Sequence, residues 1–400
     1  MKRTHRSAGA VLVSPDPADA AALLLDQVRT TGERQVVAPK GTLEPGEPPL
    51  IAAAREVREE VGITDLTYIA YLGQQSYGFL DREGQPADKT VAWFLFATRD
   101  HDVAPRVAEG FVDAQWLPLA QAAEAATHPE FRAYLYKAWS IIAWRQRGDL
   151  PYSAAMSDVV WSTAEQASAL VRNASTAGVG LCGSAARGDF VDHWSDIDII
   201  AWGIDPTSDL ATGIMQLATA AEQGTGIHTS VRLADQTGRD ANHAGPLYDM
   251  KLQAVLRRTG LDVAVIAGTA PSLPLPEVDG SDLGQNIEAL QSFAVRLLGQ
   301  EPLTAAERTD RARRALSVMC SAARNLATRI EPVASLRLPT VVRLLRSRWP
   351  DGSIVTLLCD YDDFRQQGAA DLDRAEALAA QVPATLSDLR DLVAAEPALS

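Results

Sequence analysis

The sequence predicts two mixed α/β units followed by an all-α unit. Short apolar runs that alternate with helical patterns, two Gly/Pro-rich interruptions and helical periodicity through the last part of the chain indicate this fold class. A chain of 400 residues with 46% hydrophobic content is long enough to bury several cores. We place the three units at residues 1–147, 152–275 and 280–400.

The composition restricts the classes of function. A net charge of -14 leaves no broad basic surface, which argues against extended nucleic acid as a partner and favours small nucleotide substrates. Cys182, Cys320 and Cys359 lie far apart without ligand spacing, which predicts neither a disulfide framework nor a zinc site. Because no apolar stretch reaches the roughly 20 residues of a membrane helix and no signal-peptide cleavage pattern is present, we expect a cytoplasmic protein. The oligomeric state stays open.

The first unit reads as strands and helices in alternation. Apolar runs predict strands over residues 8–13 and 91–97, and the segment 52–61 between them has the pattern of a helix. A second helix is predicted over 129–144, where apolar residues recur at helical spacing. The Gly/Pro-containing stretch 145–151 then predicts the first boundary.

Three glutamates share one face of the helix predicted at 52–61. Glu56, Glu59 and Glu60 are three and four residues apart, and Arg55 precedes Glu59 by one helical turn. Oxygen ligands at this density suit Mg²⁺ or Mn²⁺, which also bind phosphates. A solvated acidic face with internal ion pairs explains the same spacing, so the spacing leaves both interpretations open.

These residues belong to a longer segment that resembles the Nudix hydrolase signature. The matching positions are Gly41, Glu47, Arg55, Glu56, Val57, Glu59, Glu60, Gly62 and Ile63. The resemblance covers about residues 5–145 and implies a Nudix α/β/α sandwich that hydrolyses a nucleoside-diphosphate-linked substrate. It further implies that Glu56, Glu59 and Glu60 bind Mg²⁺ or Mn²⁺, which activates water. The glycines Gly41 and Gly46 are expected to let the preceding loop turn tightly.

Residues outside the signature carry the choice of substrate. Lys40, Gly41 and Lys89 stand in segments similar to those of family members that act on diadenosine polyphosphates or diphosphoinositol phosphates, where the lysines contact phosphate oxygens. Residues 35–37 depart from that subgroup, which tends to carry a Trp there. Glu109 lies in a predicted loop where some members place an added metal ligand or a general base. An ordinary exposed loop glutamate explains Glu109 equally well.

The second unit carries a Gly-Ser turn followed by two aspartates. A helix near 155–175 and a strand over 179–182 are predicted before Gly183 and Ser184, and the strand over 197–202 begins beside Asp196 and Asp198. Alternation along a strand would make both aspartates point the same way. They would then hold Mg²⁺, while the Gly-Ser turn takes the phosphates of a nucleotide. Capping of an element by Asp196 is the alternative.

This second pattern resembles the minimal nucleotidyltransferases of the DNA polymerase β superfamily, which include aminoglycoside adenylyltransferases. The matching segments are Leu181-Cys182-Gly183-Ser184, Arg187-Gly188 and Ser195-Asp196-Ile197-Asp198-Ile199. The resemblance implies nucleotidyl transfer from a nucleoside triphosphate to a small-molecule acceptor, with Gly183, Ser184 and Arg187 at the phosphates. It also implies a third carboxylate from a later strand.

The strand predicted at 226–234 offers His228, Ser230 and Arg232 where that third carboxylate is expected. Arg232 is then either a phosphate contact or a surface ion-pair partner. Two hypotheses therefore remain open for the chain: a bifunctional hydrolase and nucleotidyltransferase, or a hydrolase with a nucleotide-sensing, catalytically inactive module.

The third unit is predicted to be a helical bundle, and the resemblance to aminoglycoside adenylyltransferases implies that it helps to form the acceptor pocket. Apolar residues step by three and four along one helix face: Ala312, Leu316, Met319, Ala323, Leu326 and Ile330.

Overall fold

A computed structural model describes the chain over residues 3–14, 20–80, 84–241, 252–271, 282–301, 304–332 and 334–396. The chain divides into two compact units. The first unit comprises residues 1–190 and 195–275, and the second comprises residues 191–194 and 276–400. The predicted boundary at 147–152 therefore falls inside the first compact unit.

A seven-stranded sheet lies in the N-terminal part of the first unit. Its strands are β1 (Arg3–Val13), β2 (Ala21–Val28), β3 (Arg34–Val37), β4 (Lys40–Thr42), β5 (Thr67–Leu80), β6 (Pro86–Ala97) and β7 (Phe111–Pro118). The main path is β3-β2-β1-β6-β5, with β4 paired to β1 and β7 paired to β2. Strands β1 and β6 run parallel, and the other pairs are antiparallel. The two strands predicted from the sequence lie within β1 and β6.

Helices cover both faces of this sheet. They are α1 (Pro49–Val61), α2 (Leu119–Ala125), α3 (Pro129–Arg147) and α4 (Ala154–Val171). Ala10 and Leu12 of β1 pack in the core that contains α1 and α4, whereas Val11 and Val13 pack in the core that contains α2 and α3. Because side chains alternate along a strand, these cores lie on opposite faces, and the predicted α/β/α sandwich is present.

Helix α1 carries the three glutamates of the signature. It begins at Pro49, three residues before the predicted start, because proline is well tolerated at the first helical position. Gly62 ends it in the left-handed conformation, with φ of 81°, and donates its N–H to the Arg58 carbonyl. Glu56 and Glu60 lie among the buried residues of this helix.

A four-stranded sheet forms the rest of the first unit, in the order β10-β9-β8-β11. Its elements follow α4 as β8 (Gly178–Cys182), α5 (Gly183–Arg187), β9 (Ile197–Trp202), α6 (Asp209–Thr225), β10 (Thr229–Leu233) and β11 (Ala264–Gly268). The Gly-Ser segment predicted as a turn is the start of the short helix α5. The predicted strand at 226–234 is the shorter β10, which runs parallel to β9.

One hydrophobic core continues from α1 and the first sheet through α4 to the second sheet. The rings of Phe96 on β6 and Trp161 on α4 are stacked, with centroids 5.5 Å apart and planes at 15°. Tyr68 on β5 is 1% exposed and donates its hydroxyl to the Ala185 carbonyl, at 3.2 Å. The two α/β parts of the chain are therefore packed as one body.

The second compact unit is helical, as predicted. Its described helices are α7 (Asp282–Leu298), α8 (Ala305–Ile330), α9 (Leu338–Arg348), α10 (Ser353–Gln366) and α11 (Leu372–Ala394). Leu316, Met319 and Ala323 are buried on α8, on the face predicted from their spacing. Trp194 belongs to this unit and donates its indole N–H to the Tyr361 hydroxyl, at 2.9 Å. Among the helices of the described residues, none has the length and apolar composition needed to span a membrane.

Candidate functional site

Arg55, in the middle of α1, is the centre of a network of carboxylates. Its Nε and Nη2 donate to the two carboxylate oxygens of Glu47, at 2.8 and 3.0 Å. Its Nη1 donates to Glu56 at 2.8 Å and to Glu59 at 3.2 Å, and Nη2 also reaches the Thr42 carbonyl at 3.0 Å. The sequence predicted the pair with Glu59, and the structure adds the other partners. The hydrogen bonds that Arg55 donates to Glu47 are the main cause that raises the pKa of Arg55.

Glu60 lies one helical turn after Glu56 on α1, beside Lys40. The Lys40 backbone N–H donates to the Glu60 carboxylate at 3.1 Å, and Glu60 is 4% exposed. Burial raises the pKa of Glu60 to about 8, against the opposing effect of the Lys40 charge. Burial also raises the pKa of Glu56 and lowers that of Lys40. Two of the three glutamates are thus held in a setting that disfavours their negative charge in the absence of a cation.

Gly41 is required for a different reason from the predicted tight turn. It lies within β4 and not in the left-handed region, whereas Gly46 has φ of 76°. A Cβ added at Gly41 would lie 2.0 Å from the Glu56 carboxylate. The turn prediction for Gly41 is therefore wrong, because the constraint is the close approach of a buried acidic side chain.

Replacement of Gly41 by alanine should displace the Glu56 carboxylate from its bond with Arg55. We expect the affinity for Mn²⁺ to fall about 10- to 100-fold, the range found when groups that orient metal ligands are lost. Electron paramagnetic resonance of free Mn²⁺ measures this affinity. Gly224→Ala is the matched control, because no atom lies within 4 Å of a Cβ added at Gly224. An unchanged Mn²⁺ affinity in Gly41→Ala would contradict the proposed role of Glu56.

The acidic residues of α1 fit Mg²⁺ or Mn²⁺ by their chemistry. In the part of the chain that the structure describes, no three Asp, Glu, His or Cys side chains converge closely enough to hold a metal ion. Glu56 and Glu59 are paired with Arg55 instead, and Glu60 accepts the Lys40 N–H. Carboxylates on one helix, of which two are buried, still form the oxygen donor set that these cations prefer.

Metal binding to this site should depend on pH. Because the pKa of Glu60 is raised to about 8, its carboxyl is largely protonated at neutral pH without a cation. A metal binds the carboxylate form, so binding releases a proton, and the apparent affinity increases as pH rises through about 8 and levels off above that pH. Calorimetric titration with Mn²⁺ at several pH values measures this slope. Glu60→Gln should flatten it, and an equal slope in that variant would refute the assignment.

Basic and aromatic residues gather beside the acidic helix. The charges of Lys89 and Arg29 both lower the pKa of Lys40, after the larger effect of its burial. Burial raises the pKa of Tyr77 against the opposing charge of Arg29, and burial together with the charges of Lys40 and Arg29 lowers the pKa of His128. Lys89 on β6 stands directly opposite Tyr77 on β5. The predicted pair Lys40 and Lys89 is thus part of a larger cationic cluster.

Arg29, Tyr77 and His128 were not predicted from the sequence. Arg29 follows β2, and its Nε donates to Gln35 at 2.9 Å. His128 precedes the first residue of α3. An arginine after an apolar strand and a histidine before a helix are ordinary boundary residues, so no local signal distinguished them.

Glu109 lies in a 3₁₀ turn, Val107–Glu109, with its carboxylate 43% exposed. It pairs with Arg106 at 3.1 Å, and Arg106 lies 3.9 Å from Glu59. The charge of Glu109 contributes to the raised pKa values of Glu56 and Glu60. The structure therefore brings Glu109 near the acidic helix.

Asp198 lies in a row of side chains that crosses three strands of the second sheet. It is paired in register with Cys182 on β8 and with Ser230 on β10. The Ser230 hydroxyl donates to one carboxylate oxygen of Asp198, at 2.8 Å. The other oxygen would lie 2.2 Å from a Cβ added at Gly183, which has φ of 71°. On β10, which runs parallel to β9, the residue in register with Asp198 is thus a serine, where the resemblance implied a carboxylate.

The other residues predicted for this site lie outside this row of side chains. Asp196 immediately precedes β9, which spans Ile197–Trp202 as predicted, so Asp198 lies within the strand and Asp196 just before it. Its backbone carbonyl accepts the Ser184 hydroxyl, at 3.4 Å. Arg187 is 9% exposed, which leaves little guanidinium surface for a phosphate. Arg232 is partly buried on β10.

Within the described ranges, no three Asp, Glu, His or Cys side chains at this sheet are arranged to hold a metal ion. His228 pairs with Glu222, at 3.1 Å between Nδ1 and Oε2. Asp235, just after β10, accepts the backbone N–H groups of Thr237 and Arg239 at 2.7 and 3.0 Å, which is a turn-stabilising role.

Comparison with known proteins agrees with the N-terminal geometry. The family model described as NUDIX domain matches residues 3–139. The asymmetrical bis(5'-nucleosyl)-tetraphosphatases of Mus musculus and Rattus norvegicus are each 34% identical, over 99 and 98 residues. These matches cover 24% of this chain and 65% of each relative, less than two thirds of their length. A crystal structure of a C. elegans Ap4A hydrolase binary complex is 24% identical, with a TM-score of 0.28, and covers 35% of this chain and 98% of that chain. Residues 3–139 of this chain therefore form a Nudix domain.

Proposed function

We propose that the Nudix domain hydrolyses a phosphoanhydride bond in a dinucleoside-polyphosphate-like substrate. The observation that carries the proposal is the juxtaposition of the Arg55-held carboxylates with the cationic cluster around Lys40. A polyphosphate chain needs both positive side chains and a divalent cation, because its charge is dense. The names of the curated relatives, asymmetrical tetraphosphatases, agree with a substrate of this kind.

The residues of this chain divide the work in the proposed reaction. Lys40, Lys89 and Arg29 would bind phosphate oxygens and orient the chain of phosphates. Mg²⁺ or Mn²⁺ held by the glutamates of α1 would activate the attacking water and offset charge on the phosphate oxygens. Arg55 keeps Glu56 and Glu59 in place for that cation. Glu109 is the candidate for an added ligand or for the group that accepts a proton from water.

The test is a screen of Mg²⁺-dependent hydrolysis over diadenosine tetraphosphate, diphosphoinositol phosphates, nucleotide sugars, NADH and nucleoside triphosphates. We expect diadenosine tetraphosphate to give AMP and ATP, resolved by ion-exchange chromatography. Glu60→Gln is the control for contaminating activity. If the wild-type chain cleaves no substrate faster than that variant, the proposed hydrolase function is wrong.

We also propose that the second sheet binds a nucleotide through Asp196, Asp198, Gly183 and Ser184. Nucleotidyl transfer to a small acceptor is one function for such a site, and nucleotide sensing is the other. Ser230 favours sensing. Its hydroxyl donates a hydrogen bond to one carboxylate oxygen of Asp198. Unlike a third carboxylate, this hydroxyl adds no negative charge that would bind a second metal ion.

Incubation with radiolabelled ATP and a panel of small acceptors separates these two functions. Binding of ATP that is lost in Asp198→Asn, without any labelled product, is the result expected for a sensor. Labelled product that disappears in Asp198→Asn but persists in Glu60→Gln would establish transfer instead. If Asp198→Asn binds ATP as the wild-type chain does, the site itself is wrong.

A further inference from the structure

Helix α4 contacts the loop that precedes the catalytic helix α1. The half-buried Ser168 on α4 donates its hydroxyl to the backbone carbonyl of Gly46, at 3.3 Å. Gly46 belongs to the Nudix signature segment and immediately precedes Glu47. A helix that lies beyond the Nudix domain in sequence therefore contacts the loop of the signature segment through a hydrogen bond.

A continuous chain of hydrogen bonds leads from this contact to the carboxylates of α1. The loop is closed on itself, since the Glu44 N–H donates to the Glu47 carboxylate at 2.9 Å and the Glu47 N–H donates to the Glu44 carbonyl at 3.0 Å. Glu47 then accepts two hydrogen bonds from Arg55. Arg55 in turn holds Glu56, at 2.8 Å. A shift of the loop at Gly46 would thus be transmitted to the orientation of a candidate metal ligand.

Helix α4 is itself fixed on the sheet. Ser157 accepts the Tyr68 backbone N–H at 2.9 Å in a buried position, and Trp161 stacks on Phe96 with centroids 5.5 Å apart. Ser157, Trp161 and Ser168 are separated by four and seven residues, so they lie along one face of the helix. The same face that anchors α4 to the sheet therefore presents Ser168 to the loop. Anchored in this way, α4 is a rigid reference for the loop.

We propose that Ser168 is a positioning residue for the metal-binding carboxylates of the Nudix site, acting through Gly46 and Glu47 on Arg55. This inference rests on the proposed hydrolase function. Loss of the Ser168 hydroxyl leaves the 44–47 loop free to relax away from α4. Glu47 then fixes the guanidinium of Arg55 less well, and the carboxylates are less preorganised for a cation.

The test is Mn²⁺ binding to the full chain, followed by electron paramagnetic resonance, with the Mg²⁺ dependence of hydrolysis as a second readout. We expect Ser168→Ala to weaken Mn²⁺ binding about 3- to 10-fold, the effect of one hydrogen bond on an orienting network, with an unchanged melting temperature. Ser168→Thr keeps a hydroxyl and should restore the affinity. Ser162→Ala is the matched control on the same helix, because the Ser162 hydroxyl donates to the Val159 carbonyl within α4, at 3.2 Å.

Two outcomes would overturn the positioning role: wild-type Mn²⁺ affinity in Ser168→Ala, or an equal loss in Ser162→Ala. Glu60→Gln separates this inference from the proposed function. If Glu60→Gln weakens Mn²⁺ binding and Ser168→Ala does not, only the positioning role fails. If Glu60→Gln binds Mn²⁺ as the wild-type chain does, the proposed metal site fails and the positioning role fails with it.

Discussion

Replacement of Glu60 by glutamine should lower kcat/KM for hydrolysis of diadenosine tetraphosphate at least about a hundredfold. A ligated metal ion stabilises the transition state by several kcal/mol, and about 1.4 kcal/mol corresponds to a factor of ten in rate. The amide oxygen of glutamine can still accept the Lys40 N–H, which Glu60 now accepts at 3.1 Å. The substitution therefore removes charge and metal affinity while it keeps the local hydrogen bond and the volume of a buried side chain.

The stability of the variant distinguishes a chemical effect from a structural one. Burial raises the pKa of Glu60, which means that its negative charge is unfavourable in the folded state without a cation. We therefore expect metal-free Glu60→Gln to melt no lower than the wild-type chain at pH 8 to 9, and Mg²⁺ to stabilise it less. Glu124→Gln, an exposed position on α2, is the control. A rate within a fewfold of wild type would contradict metal binding by Glu60.

Glu109→Gln measures the role of the exposed glutamate in the same assay. A loss comparable to that of Glu60→Gln would assign Glu109 to the reaction, whereas a nearly wild-type rate would leave it as the partner of Arg106.

The acidic array was predictable from the sequence because it depends on one local period. Residues three and four apart on a helix share a face, and the signature fixes which of them are acidic. The partners that complete the array were not predictable in the same way. Glu47 meets Arg55 across the loop, and Lys40 meets Glu60 from a strand. Arg29 and His128 approach Lys40 only after the sheet and α3 are assembled.

Tertiary packing accounts for the expectation about Gly41 that failed. The strand over 197–202, by contrast, was predicted with the bounds that β9 has, and Asp196 lies just before it. Gly41 was assigned to a turn because glycine often marks one, but tertiary packing of Glu56 sets its requirement. The residue type at Gly41 was noticed correctly, and its physical reason depended on a neighbour distant in sequence.

The chain changes direction at the Gly/Pro stretch near residue 150, but the hydrophobic core does not end there. Its neighbour α4 has an ordinary amphipathic pattern, which does not reveal what the buried face will contact. In the structure that face joins a core shared by both sheets. The structure places both α/β parts in one compact unit. Whether they are separate domains, as the sequence predicted, stays a prediction.

A chain that ends after Gly148 should fail to fold cooperatively, although it contains the whole Nudix domain. Phe96 and Tyr68 are 0% and 1% exposed, and the fragment would lack Trp161, which stacks on Phe96, and Ala185, which accepts the Tyr68 hydroxyl. Exposing a large apolar side chain costs about 1.5–3 kcal/mol, and a domain is stable by only about 5–15 kcal/mol. Removal of α4 uncovers several such residues on the same sheet face and so consumes a large part of that margin.

Near-ultraviolet circular dichroism and a thermal melt of the fragment check this expectation, together with the binding of a dye that reports exposed apolar surface. A chain of residues 1–275 is the matched control, because it contains the whole first compact unit, together with residues 191–194, which belong to the second unit. We expect the longer chain to melt cooperatively and the shorter one to bind the dye without a sharp transition. If the shorter chain melts cooperatively near the wild-type temperature, the second sheet is an appended domain. If only the longer chain does so, the hydrolase site is built on a core to which both sheets contribute, and Ser168 acts from within that core.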